Sequence, residues 1–120
     1  MSYYDAINAA IGAHAEWKQR LRSASDTGKS EWSVDRVSPD NLCAFGKWLY
    51  SLPETERQEE RWTLVRSLHA DFHKEAAKVL DLALRGIQAE AKALMAFESV
   101  YAKTSAKLTW EMMEWKKKYT

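Results

Sequence analysis

The stretch Val65-Arg66-Ser67-Leu68-His69-Ala70-Asp71-Phe72-His73-Lys74-Glu75-Ala76-Ala77-Lys78-Val79-Leu80-Asp81-Leu82-Ala83 decides how this chain folds. Val65, Leu68, His69, Phe72, His73, Ala76, Val79, Leu80 and Ala83 recur three and four residues apart, the period of one helical face. The stretch therefore reads as a long amphipathic helix with one broad buried side. Two histidines sit on that side, one turn apart.

Working outward, the same period returns on both flanks. From Tyr4 to Leu21 the inward positions are Ile7, Ala10, Ile11, His14, Trp17 and Leu21. Residues 23–38 lose the period; Asp26, Thr27, Gly28 and Ser30 mark a polar crossing loop, which Trp32 and Val34 are expected to pin down. Ser38-Pro39-Asp40 reads as a helix start, with Ser as cap, Pro in the first turn and Asp at the positive end. The short helix that follows would carry Leu42, Cys43, Phe45, Gly46, Leu49 and Tyr50, ending at Leu52-Pro53. Beyond the central stretch Gly86 breaks the pattern. A last helix from about Ile87 to Lys118 turns Ala91, Leu94, Tyr101, Leu108, Met112 and Trp115 inward. With four Gly, two Pro and no strand signal, the expected fold is all-α. Three long helices and a short Cys-bearing one suggest an antiparallel four-helix bundle, with residues 1–120 as a single domain.

Composition narrows the function. Eighteen basic and 17 acidic residues, interleaved, give a net charge of +1, which argues against nucleic acid as a partner. Lys116-Lys117-Lys118 fits the negative end of a helix better than a binding patch. No apolar run reaches the ~18 residues of a membrane span, and the first residues do not resemble a signal peptide. One cysteine rules out an intrachain disulfide, so a soluble cytoplasmic protein is expected.

The chain has three histidines and one cysteine, and all four lie on or beside apolar stripes: His14, Cys43, His69 and His73. Taken singly, each has an ordinary reading. His69 and His73 would be a hydrogen-bonded core pair, His14 a satisfied core histidine, and Cys43 a small buried hydrophobe. Taken together, four unpaired buried polar groups would cost roughly 1–3 kcal/mol each. One zinc ion would satisfy all of them, because three His and one Cys make a closed tetrahedral set. Gly46, three residues after Cys43, is expected to permit close helix–helix approach beside the site. Glu16, Asp40 and Asp71 are the carboxylates near enough in sequence to support a histidine ligand. A closed set leaves no position for water, so an enzyme is not expected. A di-iron carrier is disfavoured too: positions 11, 66 and 70 are Ile, Arg and Ala where it needs Glu.

Three segments carry a resemblance. His14-Ala15-Glu16-Trp17, Cys43-Ala44-Phe45-Gly46-Lys47-Trp48 and His69-Ala70-Asp71-Phe72-His73 resemble the motifs of the chemoreceptor zinc-binding (CZB) domain. The gaps between them fit that family, and Tyr101, Ala102, Ser105 and Leu108 resemble its last helix. The resemblance implies a bacterial, cytoplasmic helical domain holding one zinc through His14, Cys43, His69 and His73. It also implies sensing of zinc availability, or of hypochlorous acid through the bound cysteine. Family members are mostly attached to chemoreceptors or diguanylate cyclases. This chain is expected to be a free-standing member, whose partners would be a second copy of itself or a signalling protein. A different reading rests on six tryptophans: a helical interaction module, metal-free or with structural zinc, acting through a surface that includes some of Trp32, Trp62, Trp110 and Trp115.

Overall fold

The computed structural model describes residues 2–120, and all their regular structure is helical. The elements are α1 (Tyr3–Thr27), α2 (Val34–Val37), α3 (Ala44–Ser51), α4 (Glu54–Arg57), α5 (Glu60–Leu84), α6 (Gln88–Leu94) and α7 (Val100–Lys117). The expected all-α class holds. The Val65–Ala83 stretch is the body of α5, whose buried residues include Val65, His69, Phe72, His73, Ala76, Val79, Leu80 and Ala83.

The three long helices α1, α5 and α7 pack against one another pairwise, with α6 against α5 and α1. Their directions differ from simple alternation. His14 of α1 lies beside His69 of α5, and Gly28 at the end of α1 lies beside the Ala83 carbonyl at the end of α5, so these two helices run the same way. Helix α7 runs against both: Phe72 meets Tyr101, Arg61 pairs with Glu111, and Asn8 accepts from Lys116. The segment containing α2, α3 and α4 returns the chain to the starting end.

Local chemistry explains where the boundaries moved. Helix α1 continues past residue 23 because Ala24 and Ser25 are buried, Ser25 donating to the Leu21 carbonyl at 2.8 Å. It stops at Gly28, which takes the left-handed conformation that glycine tolerates (φ 73°). Inside the expected loop Val37 is buried and α2 forms around it. Trp32 packs against Trp17 at a tilt of 59°, with ring centroids 5.1 Å apart, as its pinning role requires.

Ser38 closes α2 and does not open the next helix. Helix α3 begins at Ala44 with Cys43 as its N-cap, in extended backbone at φ −78° and ψ 161°. The last helix is two: Met95 ends α6, and the Ser99 hydroxyl caps α7 by accepting from Ala102 N–H at 3.1 Å. Between them Glu98 has φ 74° and Phe97 is 92% exposed.

Candidate metal centre

Helix periodicity delivers the three histidines to one point. His14 shares the buried face of α1 with Ile7, Ala10, Trp17 and Leu21, while His69 and His73 share that of α5. All three are at most 4% exposed. One ring nitrogen from each can be chosen so that all three lie within 4.8 Å of one another. Cys43 arrives from a third element. Its Sγ is 3.3 Å from His69 Nε2 and 3.5 Å from His73 Nε2, and those two nitrogens are 3.1 Å apart.

These spacings are those of a tetrahedron's edges. Zn–N near ~2.05 Å and Zn–S near ~2.3 Å imply ligand-to-ligand separations of about 3.3 Å for N–N and about 3.6 Å for N–S. The Cys43, His69 and His73 corners match, and His14 stands somewhat wider. The sequence-derived set His14, Cys43, His69 and His73 is thus gathered in one cluster.

Hydrogen bonds fix which nitrogens face inward. His14 Nδ1–H donates to the Ala10 carbonyl at 2.7 Å, and His73 Nδ1–H donates to the Val37 carbonyl at 2.8 Å. Both rings therefore present a bare Nε2 to the cluster. Buried His69 Nδ1 has no partner among the described residues. A proton on His69 Nε2 could serve one neighbour only, whereas a cation serves four lone-pair donors at once. The donor set fits zinc.

Electrostatics agree with that fit. Burial pushes His69 down to about 2, helped by the neighbouring His14 and His73. Burial pushes His14 down to about 4, against the pull of its bond to Ala10. His73 is also lowered by burial, partly offset by the Val37 bond and the Asp40 charge. All three are neutral at pH 7, the form that binds metal. Burial raises the Cys43 thiol, while backbone N–H groups, Gly46 first, favour its thiolate; Gly46 N–H reaches Sγ at 3.3 Å.

Gly46 has a role other than the expected one. A Cβ there would overlap the Asp40 carbonyl oxygen and lie 2.9 Å from its carbon. What approaches it is the Asp40–Asn41 turn and not a second helix. Of the three nominated carboxylates, Asp40 faces the site, its charge felt at His73 and Cys43 while it accepts from Tyr50 Oη. Glu16 pairs with Arg20 at the surface, and Asp71 is exposed. The histidine supports are the carbonyls of Ala10 and Val37, which sequence reasoning missed because a backbone oxygen carries no residue signature.

Comparison with known families decides the assignment. The profile of the chemoreceptor zinc-binding domain matches residues 14–80. The chain belongs to the CZB family. The matched span opens on His14, closes on Leu80 and contains His14, Cys43, His69 and His73. No curated protein and no solved structure matches the chain. No helix among the described residues is long and apolar enough to cross a membrane.

Proposed function

We propose that this CZB domain is a regulatory sensor that binds one zinc per chain through His14, Cys43, His69 and His73. It would respond to zinc availability, to oxidants such as hypochlorous acid, or to both. The observation that carries the reading is the convergence of His14, Cys43, His69 and His73 from three separate segments, three of them at tetrahedral spacing and His14 within 4.8 Å of the other histidines. Bound zinc supplies a positive centre that keeps the thiol ionised and ties the segments together. With four protein donors no position is left for water, so the domain acts without catalysis.

The chain's own residues supply the coupling. His73 holds α2 through the Val37 carbonyl, and Cys43 caps α3 while reaching toward α5. In this reading α3 is the short fourth member of the bundle, and loss of the ion from both Cys43 and His73 loosens α3 and α2 together. Attack of the Cys43 thiolate on hypochlorous acid gives sulfenic acid and chloride, and the oxidised sulfur is a poorer ligand. Chelation should therefore raise amide hydrogen exchange in residues 34–51 before α5 and α7. Equal exchange with and without chelator would refute the coupling. Peptide mass spectrometry after limiting hypochlorous acid should find Cys43 oxidised ahead of exposed Met113. The reverse order would refute the oxidant arm.

A second reading has one observation in its favour. Trp17, Trp62 and Trp115 are buried and Trp32 and Trp48 half-buried, leaving Trp110 as the exposed tryptophan, at 58%. It lies on the outward face of α7 with Met113, between Lys103, Lys107 and Lys117. Such a face suits an interaction module, whether the partner is a second copy or a signalling protein. Sedimentation of wild type against Trp110→Ala tests self-association through it.

A further inference from the structure

Cys43 is reached from two sides of different character. On one side a cavity of about 200 Å³ is lined by Ala10, Ala13, Phe45 and Trp48 with no Asp, Glu, Lys or Arg. On the other a cavity of about 350 Å³ leads to both Cys43 and His73 and is lined by Arg20, Trp32 and Arg36. No carboxylate lines that second cavity.

The two arginines are held there. Both contact Trp32, with the Arg20 guanidinium carbon 5.1 Å from its ring centroid and that of Arg36 4.7 Å away. Arg20 is also 4.9 Å from the Trp17 ring, and Glu16 partly offsets its charge at 3.1 Å. Arg36 has no carboxylate partner among the described residues. Stacking on indole positions a guanidinium without consuming its charge. The contacts leave both guanidinium groups at the edge of a cavity that is also lined by Cys43.

We infer that the Arg20–Trp32–Arg36 stack is an anion-selecting mouth, through which small oxyanions and carboxylates reach the Cys43 sulfur while neutral molecules use the apolar side. This rests on Cys43 being the reactive ligand of the proposed site and names the class of reactant that site takes.

The test is a pair of alkylating reagents with the same reaction and different charge. In both iodoacetate and iodoacetamide, the Cys43 sulfur forms a bond to the methylene carbon and iodide leaves with the electron pair. A unit charge ~6 Å from a reacting monoanion in water changes its local concentration about threefold. Arg36→Gln should therefore slow iodoacetate about threefold relative to iodoacetamide at low salt. Arg20→Gln/Arg36→Gln should slow it further, and Arg36→Lys should keep the wild-type ratio. The effect should shrink toward nothing at ~1 M salt, where screening acts within about 3 Å. An unchanged ratio, or equal slowing of both reagents, overturns the inference. Zinc content of the same samples is measured separately. Its absence from wild type would refute the zinc reading, while the reagent ratio decides on the mouth.

Discussion

Two glycines inside helices separate intrinsic helix preference from the geometry of the site. In an exposed helix interior, Gly→Ala should stabilise by about 1 kcal/mol, because alanine loses less conformational entropy. Gly12 in α1 meets that condition, since a Cβ there finds nothing within 4 Å. Gly46 in α3 does not, since its Cβ would overlap the Asp40 carbonyl, a backbone group with no rotamer to yield. Overpacking of this kind costs about 1–3 kcal/mol. Gly46→Ala should therefore be net destabilising by up to about 2 kcal/mol after the propensity gain, while Gly12→Ala is stabilising. Relief of the overlap must part α3 from the Asp40–Asn41 turn, moving the Gly46 N–H and the Cys43 sulfur it contacts. Zinc affinity should fall as well, by about 10-fold or more, the lower end of what loss of ligand support costs. Urea denaturation of the metal-free proteins and competition with a chromophoric chelator read the two effects. A Gly46→Ala protein as stable as Gly12→Ala, with unaltered zinc affinity, would refute the reasoning.

Four further outcomes follow from the packing and the clustered side chains. Tyr101 is 4% exposed and its hydroxyl is unpartnered among the described residues, so Tyr101→Phe should stabilise by about 1 kcal/mol in urea denaturation. Burial pushes the Tyr101 phenol up to about 12, so the unfolded chain loses its proton first; stability is unaffected below pH 10 and falls by about 3 kcal/mol between pH 10 and 12. In Tyr101→Phe that part of the alkaline loss should vanish. Phe72 is fully buried against His14 and Tyr101, so Phe72→Ala should cost about 3–5 kcal/mol in the same assay. Cys43→Ala should bind zinc more weakly than wild type by more than the about 10–100-fold that loss of an outer partner costs, without losing it altogether.

Helices α1 and α5, and the gathering of His14, Cys43, His69 and His73 in one cluster, were legible in the sequence because each follows from a period or a rare residue type. Val65 through Ala83 dictated α5, and the same face fixed where His69 and His73 would point. The misses share a cause, namely bonds that have no residue pattern. Ser38-Pro39-Asp40 reads as a helix start, yet the Cys43 sulfur takes the capping bond from Gly46 N–H and moves the start to Ala44. Continuous apolar spacing hid the break at residues 95–99, where the Ser99 cap begins a new helix without a Gly or Pro to announce it. The parallel sense of α1 and α5 depends on the path of the crossing segment, and periodicity is blind to direction. The supports of His14 and His73 are main-chain carbonyls, and they were sought among carboxylates.

X-ray absorption at the zinc edge of the zinc-loaded protein tests the central claim most directly. The account requires one zinc per chain, surrounded by three nitrogens near ~2.0–2.1 Å and one sulfur near ~2.3 Å. A shell of nitrogen and oxygen without sulfur, or a chain that takes up no zinc, would contradict it.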